Sequence, residues 1–201
     1  MEILAHRGWW NTPSEKNTMP AFIRAFDAGL GVELDIRDLG KDIVVSHDMP
    51  GLDENVILFK DVLSIWREFG RPKLAVNIKS DGLSESLDAL FEKEDLTHYF
   101  CFDMSIPETV QYRRRGLSAA GRLSEYEKDP LDVSEIWLDA FETDWWLTSD
   151  LSSYSKAGIY VVSPDLHKRP YDRVWNYVKN SRKFVGVCTD QVEEAIRFFN
   201  E

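Results

Sequence analysis

Short apolar, β-branched runs alternate with stretches of helical period along the whole chain. Strand-like runs occupy Glu2–His6, Val32–Ile36, Ile43–His47, Lys73–Lys79, Tyr99–Asp103, Ser118–Arg122, Glu135–Asp139, Gly158–Ser163 and Phe184–Cys188. Between them the spacing predicts helices over Met19–Gly29, Leu58–Phe69, Leu83–Lys93, Pro107–Arg115, Asp144–Lys156, Tyr171–Asn180 and Gln191–Phe199. Thr18 and Asp190 stand where helix N-caps belong, and Gly29 and Gly116 where helices exit. This alternation is that of an α/β chain with a parallel sheet, and it predicts a compact TIM-type (β/α)8 barrel. Nine runs are one too many for such a barrel. Too few residues separate Ile43–His47 from Val32–Ile36 for a helical crossover, so these two form either an antiparallel hairpin or one bent pair. No repeat or Pro/Gly-rich linker divides the 201 residues, and a single domain over 1–201 is expected.

Charge narrows the partners. With 24 Lys+Arg against 35 Asp+Glu the formal charge is −11, which argues against a nucleic-acid partner. The one basic cluster, Arg113–Arg115, precedes Gly116, where cations complement a helix C-terminus. No apolar run is long enough for a membrane span, and the MEILAHRG start has neither the basic nor the apolar region of a secretory signal. Cys101 and Cys188 lie in apolar runs with no metal-knuckle or redox spacing. They are expected to be buried thiols, in keeping with a cytoplasmic, reducing setting. Nothing in the sequence specifies an oligomeric state.

A barrel places its chemistry at the C-terminal ends of its strands, and nearly every run here ends in a polar group. Glu33 and Asp35 are two apart, so their carboxylates leave one face and converge. A hard divalent cation, Mg²⁺ or Ca²⁺, would relieve their repulsion; an ion pair from Arg37 or Arg7 would serve as well. Asn77 and Lys79 repeat the spacing. The amide oxygen suits a metal shell and the ammonium a phosphate oxygen, although Lys79 also fits a plain exit into the turn that follows. His6 and His47 end two runs, and imidazoles titrating near neutrality suit a general base and acid. His98, ahead of a strand, reads as structural; His167 lies in a loop within reach of the same end. Trp9-Trp10 and Trp145-Trp146 either line the mouth or cap it.

Taken together, HRG at His6–Gly8, NT-x-x-AF at Asn17–Phe22, ELD at Glu33–Asp35, HD at His47–Asp48 and GVCTD at Gly186–Asp190 resemble the glycerophosphodiester phosphodiesterase family. The resemblance implies a TIM barrel that hydrolyses glycerophosphodiesters to glycerol 3-phosphate and an alcohol. It implies His6 and His47 as acid and base, Arg7 and Lys79 on the substrate phosphate, and Glu33, Asp35 and Asn77 around Mg²⁺ or Ca²⁺. Three features depart from the pattern. Asn77 stands where the family has a glutamate, so a ligand loses its charge; PSEKNT displaces Glu15; and the segment after HD, Met49 to Leu58, is short, which leaves the pocket open. Sphingomyelinase D-like relatives look similar, so the resemblance does not fix the substrate. A catalytically impaired phosphodiester-binding barrel, and a lyase or aldolase using Lys79 as a Schiff-base amine, stand as alternatives.

Overall fold

A computed structural model describes residues 1–51, 55–131 and 133–200. Its strands are β1 (Glu2–His6), β2 (Gly31–Leu39), β3 (Asp42–Val45), β4 (Ile57–Leu58), β5 (Leu74–Ile78), β6 (Tyr99–Phe102), β7 (Ala120–Leu123), β8 (Glu135–Leu138), β9 (Gly158–Val162) and β10 (Phe184–Thr189). Eight of them run parallel in the ring β1-β2-β5-β6-β7-β8-β9-β10 and back to β1. The ring closes at β6 and β7 through one bridge, Cys101 to Ala119, and the Cys101 amide donating to the Ser118 carbonyl at 2.9 Å. The expected barrel is therefore present. β3 is the ninth run: it pairs antiparallel with the far end of β2, Ile36 opposite Val45, which makes the hairpin reading correct. β3 stops at Val45, so His47 lies in the turn beyond it rather than at a strand end.

Among the described residues six α-helices pack outside: α1 (Met19–Asp27), α2 (Phe59–Glu68), α3 (Ser84–Glu94), α4 (Ile106–Arg114), α5 (Asp172–Lys179) and α6 (Val192–Asn200). All fall within two residues of the expected bounds. The exception is Asp144–Lys156, which is not a helix but two short 3₁₀ turns, Trp145–Thr148 and Ser152–Tyr154. Its Ser, Thr and Asp side chains bond to nearby backbone instead: the hydroxyls of Thr148 and Ser149 donate to the Trp145 carbonyl, and Asp150 accepts from the Ser152 amide. Such local bonds compete with the helical ladder.

Two apolar layers result. Leu4, Ala75, Phe100, Phe102, Ala120, Trp137, Tyr160, Val162 and Cys188 fill the interior of the barrel, and a larger cluster lies between strands and helices. The N-terminal end of the barrel is sealed by Lys73, 3.8 Å from Glu135, and by Tyr160, whose hydroxyl donates to Glu2 at 2.6 Å. His98 lies at this end, 3.5 Å from Glu2, in the structural place expected for it. Trp146 is core, against Tyr177 and Phe184. Both cysteines are free and buried.

Gly8 makes the first turn. Its φ is +87°, and a Cβ there would sit 2.8 Å from the Ala21 Cβ on α1. Gly8→Ala is expected to cost roughly 1–3 kcal/mol, from the left-handed backbone and the overpacked contact together. Urea denaturation would measure it, and an unchanged midpoint would show that the turn is free to rearrange.

Candidate active site

The pleat decides which side chains meet. Leu4 points into the barrel, so His6, two residues on, points into the same space one layer higher. His6 is in register with Glu33, and Glu33 in turn with the inward-facing Ala75. Asp35 is in register with Asn77, both one pleat further along, and Lys79 follows Asn77 on that face. His6, Glu33, Asp35, Asn77 and Lys79 thus share one mouth. Arg7 reaches it because the turn swings its side chain back to Asp35.

Both carboxylates are buried, Glu33 at 2% and Asp35 at 0% exposure. Asp35 is encircled by Arg7 Nε at 2.8 Å, Lys79 Nζ at 3.1 Å and the Asn17 amide at 2.8 Å. Asn17 itself is anchored by its own backbone amide, which donates to the Arg7 carbonyl at 2.9 Å. Burial works against the Asp35 charge, but Lys79, Arg7 and Asn17 outweigh it and hold the carboxyl below its ordinary range. Glu33 has weaker support: the Asn77 amide at 3.2 Å and the Arg7 backbone N–H at 3.3 Å. Burial, with the Asp35 charge beside it, pushes Glu33 up to about 7. The ion pair to Arg7 weighed from sequence is formed, and Arg7 and Lys79 both stand on Asp35.

His6 is held by a residue the sequence reading had assigned elsewhere. Asp190 stands where a cap for α6 was expected, yet its carboxylate accepts from His6 Nδ1 at 2.6 Å and from Lys16 Nζ at 3.0 Å. Despite burial, the bonds from His6 and Lys16 keep Asp190 below the ordinary carboxylate range. The imidazole therefore carries its proton on Nδ1 and turns Nε2 toward Glu33, 3.9 Å away. The signal for Asp190 was its place two residues beyond the inward-facing Cys188. His47 sits at the opposite edge, half-exposed, with Nδ1 2.9 Å from Asp48. The Ser46 amide ties its turn to the Asp35 carbonyl at 3.1 Å. Glu15 caps the Asn11 amide and pairs with Arg24, a structural role. Trp10 donates to the His6 carbonyl at 3.2 Å and carries Lys16 over its ring, while Trp145 donates to the Asp139 carbonyl at 3.1 Å. Residues 52–54 of the short segment after His47 lie outside the described residues.

Among the described residues no three His, Cys, Asp or Glu groups come together as a metal site. Counting the amide, Glu33, Asp35 and Asn77 form a three-residue oxygen set, in which the buried Asn77 Oδ1 has no hydrogen bond while Asp35 Oδ1 faces the Lys79 ammonium 3.1 Å away. An orphaned amide oxygen beside two buried carboxylates fits a hard cation.

Solved structures share this arrangement of strands and helices. A glycerophosphodiester phosphodiesterase from Agrobacterium tumefaciens superposes with a TM-score of 0.77 at 17% identity, covering 100% of both chains. One from Parabacteroides distasonis gives 0.71 at 16%, over 99% of this chain and 96% of that one. A Ca²⁺-dependent phosphatidylinositol-specific phospholipase C from Streptomyces antibioticus gives 0.63 at 14%, over 98% and 95%. The chain has the fold of the PLC-like phosphodiesterases. No protein-family model and no curated protein matches it in sequence. The mouth of the barrel is formed by inward positions of the HRG and ELD segments.

The buried Glu33 gives a pH signature. Its carboxyl holds a proton more tightly in the folded chain, so its contribution is fully present below about pH 4.5 and lost as pH rises through about 7. Without added divalent cation, wild-type protein should lose on the order of a few kcal/mol between about pH 5 and 8 from this group, and Glu33→Gln should abolish that slope. Urea titrations of both proteins across the range test it; parallel slopes would count against a strained, buried Glu33.

Proposed function

We propose that the protein is a divalent-metal-dependent phosphodiester hydrolase acting on glycerophosphodiesters or closely related phosphodiesters. The observation that carries this reading is the single barrel mouth that gathers an anchored imidazole, two cations and the oxygen set of Glu33, Asp35 and Asn77 with its unbonded amide oxygen. The likeness in fold to glycerophosphodiester phosphodiesterases supports it.

Glu33, Asp35 and Asn77 would hold Mg²⁺ or Ca²⁺. When bound, such an ion supplies Lewis-acid neutralisation of charge on the phosphoryl oxygens. Arg7 and Lys79 present fixed positive charge to the substrate phosphate, where charge accumulates in the transition state. His6, with Nδ1–H committed to Asp190, has a lone pair on Nε2 and takes the proton of the attacking hydroxyl, from water or from a neighbouring substrate hydroxyl. Glu33, 3.9 Å away, favours the imidazolium so formed. His47 is the acid that protonates the departing alkoxide, its Nδ1 steadied by Asp48. The products are a phosphomonoester, or a cyclic phosphate when the substrate's own hydroxyl attacks, and an alcohol.

One feature separates this chain from a site with three anionic ligands. Asn77 commits Nδ2 to Glu33 and offers only a neutral oxygen, while Arg7 and Lys79 already balance Asp35. Metal affinity should therefore be modest and rise with bound substrate.

His6→Ala and His47→Ala should each lower turnover of glycerophosphodiesters by about 10²-fold or more while leaving the fold intact. Release of phosphomonoester from glycerophosphocholine with Mg²⁺, Ca²⁺ or EDTA measures this. Two folded variants that each keep most of the activity would refute the assignment, and substrate-induced stabilisation without product would identify a binding protein instead.

A further inference from the structure

The inward positions just described come from β10, β1, β2 and β5. The other half of the ring carries polar groups of its own at the same end. Arg122 follows the interior residue Ala120 by two, and Asp139 follows the interior Trp137 by two, so both project into the same mouth. Asp139 is 3% exposed. It accepts from His167 Nε2 at 2.7 Å, from the Ala140 amide at 2.8 Å and from the Arg122 guanidinium. Arg122 also grips Asp103 through Nε at 2.9 Å and Nη2 at 2.6 Å. His167 ends the 3₁₀ turn Pro164–His167, whose Leu166 packs on the interior cluster, so the turn folds over the opening.

The pattern repeats that of His6. There an imidazole is held by Asp190, which is held by Lys16; here an imidazole is held by Asp139, which is held by Arg122. The two are joined: Asp165, in the turn that carries His167, accepts from the Asp190 amide at 2.8 Å and from the Thr189 hydroxyl at 3.0 Å. Among the described residues His167 Nδ1 makes no hydrogen bond.

We propose that this second relay is the subsite for the alcohol part of the substrate, and that it selects a hydroxylated alcohol, with His167 the specificity-determining residue and Asp139 and Arg122 positioning it. The proposal rests on the phosphodiesterase reading and deepens it. Arg122 is committed to three carboxylates, Asp103, Asp139 and Glu127, so it is not a second phosphate clamp. Phe141 already packs on His167 at 4.9 Å and on Arg122 at 5.5 Å, so the wall is no aromatic cage for a quaternary ammonium. What remains on offer is a free imidazole nitrogen on one side of Arg122 and, on the other, the carboxylate edges of Asp103 and Glu127, which with Arg122 help to line a cavity of about 360 Å³ that His167 does not itself line. These are partners for hydroxyl groups, held rigidly before substrate arrives.

The test compares wild type, His167→Ala and His167→Gln on glycerophosphoglycerol and on bis(p-nitrophenyl) phosphate, whose leaving group has no other hydroxyl. His167→Ala should lower kcat/KM for glycerophosphoglycerol about tenfold or more and change that for the nitrophenyl diester by less than about threefold, with His167→Gln restoring part of the loss. Equal losses on both substrates, or no loss on either, overturn the assignment. If wild type cleaves neither diester the hydrolase reading fails on its own account. The subsite is then decided by NMR of the imidazole rings: glycerophosphoglycerol must shift the His167 signals, identified by their absence in His167→Ala, and unmoved signals overturn it.

Discussion

Two carboxylates on alternate residues of one strand, both withdrawn from water, are the constraint around which the first half of the chain is arranged. Burying a charge is tolerable only where partners replace the lost hydration. Asp35 obtains them from three places far apart in sequence: Arg7 from the first turn, Asn17 from the approach to α1, and Lys79 from the end of β5. Arg7, itself left-handed at φ +59° and bonded through its amide to the Glu33 carbonyl, turns back over β2 with Gly8 continuing the turn, and Asn17 is fixed by the Arg7 carbonyl. HRG and NT are thus parts of one clasp on a buried aspartate. Glu33 lacks such a clasp, and its raised pKa reflects that asymmetry.

The barrel that presents these groups is unevenly built. Helices α1 to α4 all lie in the part of the chain up to β7, where β2 and β5 share five paired residues. The seam between β6 and β7 has a single bridge, and no α-helix covers the connections from β7 to β8 or from β8 to β9 among the described residues. Interior packing compensates: Phe100 and Phe102 stack against Trp137 and Tyr160 across that seam, with ring centroids from 4.3 to 5.9 Å apart. Large aromatics bridging a weakly bonded junction supply the contact area that a backbone ladder would otherwise give.

Much of this was legible before any coordinates. Strand rhythm located all eight ring strands, and the period-2 rule put Glu33 with Asp35 and Asn77 with Lys79 on inward faces, because pleat alternation is a local property. Connections that depend on competition were not legible. Asp144–Lys156 has helical period but also five Ser, Thr or Asp residues from 148 to 153, four of which bond locally, and side-chain-to-backbone bonding won. Asp190 was misread for the opposite reason: an aspartate before a helix is an ordinary cap, and only long-range closure of β10 onto β1 reveals His6 as its partner. The same holds for His167, whose loop position carries no information until β8 and β9 bring Asp139 beneath it.

A mouth divided into two relays has a mechanical consequence. The Asp165 carboxyl, itself raised by burial, receives the Asp190 amide and the Thr189 hydroxyl, and it sits one turn from His167. The strut that fixes the carboxylate behind His6 is therefore part of the turn that fixes the imidazole of the alcohol side. A displacement of that turn would loosen both at once. On the proposed function, acid–base chemistry and alcohol recognition would share this one support, so a substrate spanning both relays would be held in register by groups fixed before it arrives.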